Sequence, residues 1–109
     1  MPSYYVSEDL PRFAEVGKGS PKLFDGFNKW YTEALASGAL DAKTKKLIAF
    51  AVAHAIHCAY SIDTFAAAGA KEGLTPEQMT EAAHVAAAIC AGSSLAHNVQ
   101  AVNTWNRDE

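Results

Sequence analysis

Apolar residues recur at helical spacing along almost the whole chain. The first clear stripe is Leu23, Phe24, Phe27, Tyr31, Ala34 and Leu35, with Trp30 as a large apolar body beside it. Ser20 precedes the stripe as an N-cap, and Pro21 takes the first helical position. Ser37-Gly38 ends this helix, with Gly38 suited to a left-handed terminal residue. Asp41 caps the next helix, whose first turn carries Lys43, Lys45 and Lys46. Basic groups there oppose the helix dipole slightly, so something else selects them. From Leu47 to Phe65 the chain is almost uncharged, and a helix that apolar is buried on nearly all sides. Leu47, Ala51, His54 and Cys58 fall on one line, and Lys46, Phe50, Ala53 and His57 on the neighbouring one. The pattern leaves open whether the helix continues through Cys58 or restarts there. Ser61 to Gly69 is again helix-compatible, with Gly69 or Gly73 as its end.

Thr75-Pro76-Glu77-Gln78 is a strong helix start: a threonine cap, proline at the first position and glutamine at the third. Met79, Ala82, Ala83, Ala86, Ile89 and Cys90 follow on one side. Gly92-Ser93-Ser94 predicts a break, after which a last helix runs from about Leu95 to Trp105 with His97, Val99 and Val102. At the other end, residues 1–7 read as a loose arm and Glu8 to Val16 as a short helix, followed by a break at Gly17-Lys18-Gly19-Ser20. No alternating strand pattern and no repeat occurs. The expected fold is all-α, a compact, oligomeric bundle of five to six helices. One domain spans residues 1–109, in which 1–19 form the arm and short helix.

Composition changes this picture in one respect. Half of the 109 residues are hydrophobic and about a fifth are alanine. A small domain has more surface than that to cover with polar groups, so the excess implies subunit interfaces. The net charge of −3, without a basic cluster, argues against nucleic acid as a partner. No apolar run reaches the length of a membrane span. The start MPSYYVSEDLPRF lacks the regions of a signal peptide, so a cytoplasmic location is expected. Two cysteines make no disulfide framework, and free thiols are the expectation in a reducing compartment.

The chemistry concentrates at Cys58 and Ser61, a C-x-x-S unit. A cysteine at such a position can have its pKa lowered by a helix N-terminus or a cation, and the serine keeps a hydrogen-bonding group one turn away. Such a thiol can attack a peroxide or a disulfide, but a different thiol must resolve the product. The other reading of Cys58 is a small core residue. His54 and His57 are candidate bases or charge partners, and His84 and His97 on later helices can converge on the same place. With Cys58 these imidazoles suit zinc or copper, yet no tight ligand spacing supports a metal, and no metal or other cofactor is expected. Cys90 on its alanine stripe reads as packing. Phe24, Phe27, Trp30 and Tyr31 read as core rather than a substrate box.

The run AVAHAIHCAYSIDTF, followed by TPEQMTEAAHVAAAICAGSSLAHNVQ, resembles the carboxymuconolactone decarboxylase and alkylhydroperoxidase D-like family over residues 20–104. Within it, the chain looks most like the peroxidase-like proteins associated with arsenosugar biosynthesis. The resemblance implies an all-α protein that assembles as a homotrimer or homohexamer. Redox members of the family reduce peroxides with a C-x-x-C pair, a glutamate on the preceding helix and a histidine one turn after the second cysteine. Cys58 matches the first cysteine, while Ser61, Lys46 and Phe65 stand at the other three places. Ser61 is either native or stands in place of cysteine or selenocysteine. His54, His84 and His97 match histidines common in the arsenosugar-associated group, so His54 or His97 is expected to serve as proton relay. Lys46 either lowers the Cys58 pKa or is a solvated surface lysine.

The expected function is a thiol-dependent peroxidase or disulfide-type oxidoreductase. Cys58 is the nucleophile, Ser61 fills the second redox place, and a thiol serves as reductant for a peroxide or another thiol-reactive small molecule. The alternative is a non-catalytic protein that binds a small ligand, an arsenic species or a metal in the same pocket. Lactone decarboxylation finds no decisive residue.

Overall fold

Four α-helices and one 3₁₀ segment account for the chain in the computed structural model, which describes residues 5–107. In order they are a 3₁₀ segment at Ser7–Gly19, α1 at Pro21–Leu35, α2 at Ala42–Ala55, α3 at Ala59–Lys71 and α4 at Pro76–Trp105. Among the described residues there is no strand, as the missing alternation predicts. Residues 1–4 of the expected arm lie outside the described residues. Tyr5 does not hang loose: its hydroxyl donates to Asp63 Oδ2 on α3 at 2.7 Å, and its ring meets Tyr60 edge-on at 4.6 Å.

α2 is the central element and packs against both α3 and α4. Asp41 caps it as expected, accepting from the Thr44 amide at 2.7 Å. Two of the three lysines of its first turn have partners. Lys45 Nζ donates to the Ala36 carbonyl, left free at the end of α1, at 2.6 Å. Lys46 Nζ pairs with Glu72 at the end of α3 at 3.2 Å. α1 therefore ends in extended Ala36 (φ −75°, ψ 155°) under a lysine, and Gly38 is not left-handed as expected. Ser20 also departs from expectation: at φ −157°, ψ 78° its side chain makes no cap hydrogen bond, and Pro21 alone marks the helix start.

The helix restarts at Cys58. His57, at φ 56°, is the one left-handed non-glycine among the described residues. The His57 amide donates to the His54 carbonyl and the Cys58 amide to the Ala53 carbonyl, the two bonds of a Schellman turn. The same turn recurs at the end of α3. There Gly73 (φ 87°) holds the left-handed place, and the Gly73 and Leu74 amides donate to Ala70 and Gly69. Glycine accepts that conformation without cost, whereas at His57 it carries strain.

α4 opens with the expected capping box: Thr75 Oγ1 accepts from the Gln78 amide and Gln78 Oε1 from the Thr75 amide. The break expected at Gly92-Ser93-Ser94 is absent, and the helix runs unbroken for 30 residues. A glycine inside a helix costs only about 1 kcal/mol relative to alanine. The alanines before it and Leu95, Ala96 and His97 after it carry the helix through. The uninterrupted α4 corrects the sequence estimate of membrane-spanning length: by length and composition it is apolar enough to cross one, with an 18-residue window at mean hydropathy 1.2.

The buried apolar side chains are Phe50 and Ala53 on α2, Phe65 on α3, Leu74 beyond it and Ala86 on α4. This core lies where the three helices meet. Elsewhere large apolar groups stand open, among them Leu23, Trp30, Ile89, Leu95 and Trp105, each more than two-thirds exposed. The radius of gyration is 18.5 Å, against about 13 Å for a compact domain of this length. The single protomer is thus more open than a closed bundle.

Candidate functional site

The Schellman turn at His57 sets Cys58 at the N-cap of α3, with its side chain beside the unpaired amides of the first turn. Ser61 follows one turn on, and Cys58 Sγ lies 3.3 Å from Ser61 Oγ. The neutral thiol donates to the hydroxyl, and the hydroxyl can turn to donate to the thiolate. The Cys58 pKa is lowered from its ordinary value, first by the Ser61 hydroxyl and then by the backbone amides of Ser61 and Tyr60. Partial burial opposes this and is outweighed.

Cys58 opens into a groove of about 1010 Å³ between the 3₁₀ segment, α1 and the start of α3. Phe13, Phe27, Tyr31, Tyr60 and Thr64 line it, and Asp9, Arg12 and Glu15 form part of its charged rim. Arg12 binds Glu15 through Nε at 3.0 Å and holds that carboxyl below its usual range. Tyr31 is pushed up from its ordinary value by partial burial and by the charge of Cys58. Phe27 and Tyr31 were expected in the core, and their place in the groove is a correction. The signal for them was present: they lie four apart on an amphipathic helix too short of partners to bury that stripe.

The candidate histidines are elsewhere. His54 bonds the Phe50 carbonyl through Nδ1 at 2.8 Å, and its ring stacks 4.4 Å from Phe50. It lines a second cleft of about 450 Å³ between α2 and α4, together with His84, Met79 and Thr80. His57 is exposed at the turn. His97 is exposed on the distal half of α4, with Nδ1 at 2.7 Å from the Ser93 carbonyl one turn back. Among the described residues, Cys58 is hydrogen-bonded to Ser61 and to none of the four. Lys46 is neither free in solvent nor near the thiol: Glu72 holds it at the opposite end of α3. Phe65 is buried in the core. Cys90, expected to be packed, is exposed in the protomer. Among the described residues no three His, Cys, Asp or Glu side chains gather to hold a metal.

The carboxymuconolactone decarboxylase family pattern matches residues 21–104. The chain belongs to the carboxymuconolactone decarboxylase family. The matched span runs from the start of α1 to the last turn of α4, so it includes all four α-helices. Among its relatives is uncharacterized protein 4 in the cox locus of Paracoccus denitrificans. That protein is 40% identical over 83 residues, which are 76% of this chain and 75% of the relative. A crystal structure of the apo form of a carboxymuconolactone decarboxylase family protein from Legionella pneumophila has the same fold. The two superpose with a TM-score of 0.70 at 33% identity, over 89% of this chain and 88% of the other. The family fold agrees with a peroxidase-like role in general.

Proposed function

We propose that the protein is a thiol-dependent peroxidase-like oxidoreductase in which Cys58 is the nucleophile. The observation that carries this reading is the Cys58 sulfur at the N-terminus of α3, hydrogen-bonded to Ser61, lowered in pKa and open to a large groove. The thiolate attacks one oxygen of a hydroperoxide, the O–O bond breaks, and Cys58 becomes a sulfenic acid while the other oxygen leaves as an alcohol. Ser61 has no thiol to close a disulfide. An external thiol therefore condenses with the sulfenic acid, releasing water, and a second thiol frees Cys58 from the mixed disulfide. The finer placement beside the arsenosugar-associated proteins draws support from His54, His84 and His97. Assembly as a trimer or hexamer draws support from the exposed apolar side chains of α1 and α4. The reading keeps the protein in a reducing cytoplasm, with neither nucleic acid nor membrane as partner.

The second reading, a non-catalytic binding protein for a small thiol-reactive ligand, is favoured by two side chains. Phe65 is buried where redox members of the family have a histidine, and Lys46 is tied to Glu72 where they have a glutamate. The test is exposure to a hydroperoxide with a sulfenic-acid trap, read by mass spectrometry. Trapped adduct on Cys58, absent in Cys58→Ala, supports the oxidoreductase. An unoxidised Cys58 in a protein that still binds apolar ligands in the groove supports the binder.

A further inference from the structure

A thiolate that breaks an O–O bond must dispose of a basic oxygen. Cys58–S⁻ + RO–OH gives Cys58–S–OH and RO⁻, and RO⁻ needs a proton. Ser61 is already engaged with the sulfur. His54 and His84 line the other cleft, and Lys46 is paired with Glu72. Arg12 is occupied by Glu15 and Asp9 on the rim. The Tyr5 hydroxyl is engaged in its hydrogen bond to Asp63.

Two phenols line the groove: that of Tyr60 on α3, whose ring packs edge-on against Tyr5, and that of Tyr31 on α1. The Tyr31 ring is steadied by Phe27 at 5.3 Å, which in turn meets Phe13. Among the described residues no hydrogen bond engages its hydroxyl. We infer that Tyr31 is a catalytic residue of the Cys58 site, donating a hydrogen bond and then a proton to the leaving oxygen of a bound hydroperoxide. This inference rests on the oxidoreductase reading above. The phenolate left on Tyr31 recovers its proton from water in the open groove, so atoms and charge balance over the cycle. The phenol is protonated at neutral pH, as a donor must be, and partial burial and the charge of Cys58 raise its pKa further. The apolar flank of Phe13 and Phe27 suits an alkyl hydroperoxide better than a highly charged one.

The experiment compares Tyr31→Phe with the unaltered protein in three reactions of Cys58. These are sulfenylation by tert-butyl hydroperoxide, sulfenylation by peracetic acid, and alkylation by iodoacetamide. tert-Butoxide is a strongly basic leaving group that needs a proton, whereas acetate and iodide do not. Loss of a positioned acid slows the first reaction by about tenfold or more. The second and third change by less than about twofold. Equal slowing with both oxidants, or slower alkylation, assigns Tyr31 a structural role and overturns the inference while leaving the oxidoreductase reading intact. An unaltered protein inert to both oxidants overturns both. If Tyr31→Phe does not fold, fluorotyrosine at position 31 preserves ring and hydroxyl but ionises at lower pH. Its rate with tert-butyl hydroperoxide must then fall above that lower pKa while alkylation by iodoacetamide does not, and parallel pH profiles overturn the inference.

Discussion

Cys58 Sγ and Ser61 Oγ stand 3.3 Å apart across the first turn of α3, and that bond is the largest influence drawing the thiol towards its charged form. Removing it in Ser61→Ala moves the Cys58 pKa upward, leaving only the amides of the helix start to lower it. Alkylation of Cys58 at neutral pH then slows, and the midpoint of the rate-against-pH curve shifts to higher pH. Cys90, which is exposed and unaffected by position 61, serves as the internal reference. A Cys58 midpoint unchanged in Ser61→Ala would show that the hydroxyl does not stabilise the thiolate.

The arm has its own pH signature. Tyr5 donates to Asp63, and its pKa is raised to about 12, first by that hydrogen bond. A folded-state pKa above the unfolded value of 10 means that this contact stabilises the fold fully below pH 10. The contribution is lost as pH rises through about 12. Tyr5→Phe is therefore less stable than the unaltered protein at pH 8, and the gap narrows towards pH 12. Ultraviolet titration should show one late-ionising tyrosine fewer in Tyr5→Phe. The same number in both would mean that the arm is not docked in solution.

The two Schellman turns give a paired stability test. At His57 the left-handed backbone costs a side chain about 1–2 kcal/mol, and glycine removes that cost. Glycine also loosens the unfolded chain by about 0.4–1 kcal/mol, so His57→Gly is neutral to mildly stabilising. His57→Val places a β-branched residue there and destabilises by about 1–2 kcal/mol. Gly73→Ala at φ 87° destabilises by about 1 kcal/mol or more. Denaturant melts that rank His57→Val level with His57→Gly would remove the strain at this turn.

The parts of the fold legible in the sequence were those written in local side-chain chemistry. Thr75-Pro-Glu-Gln, Asp41 and Pro21 each mark a helix start that the structure keeps. Gly73 likewise marks a helix end. Gly92 misled because a weak helix penalty carries no information about the strong formers on either side. His57 hid the turn before α3, since nothing distinguishes a histidine bound for the left-handed region from one on a helix face. Cys58 and Ser61 were visible as a spacing, but Tyr31 comes from another helix and shares the groove with the thiol only through packing. His54 and His84 meet in the second cleft rather than at Cys58 for the same reason: periodicity gives the face of a helix and not its neighbour.

Position 61 separates the chemistry from the scaffold. Because Ser61 Oγ already touches Cys58 Sγ, a sulfur placed there has only to approach from 3.3 Å to bonding distance near 2 Å. Ser61→Cys is expected to form an internal disulfide when oxidised, seen as a loss of two hydrogens by mass spectrometry and protection from alkylation. A dithiol reductant should then drive multiple turnovers of peroxide. The serine form stops at a sulfenic acid or mixed disulfide unless an external thiol is added, because Cys90 lies on α4 and is separate from the groove lining. Cys58→Ala abolishes both behaviours. If Ser61→Cys forms the disulfide yet gains no turnover, the thiol geometry is intact and the proton-handling groups are insufficient. Phe65, one turn after Ser61, is then the position to restore, as Phe65→His. If no disulfide forms at all, the first turn of α3 is too rigid to close, and the binding reading of the groove gains the stronger claim.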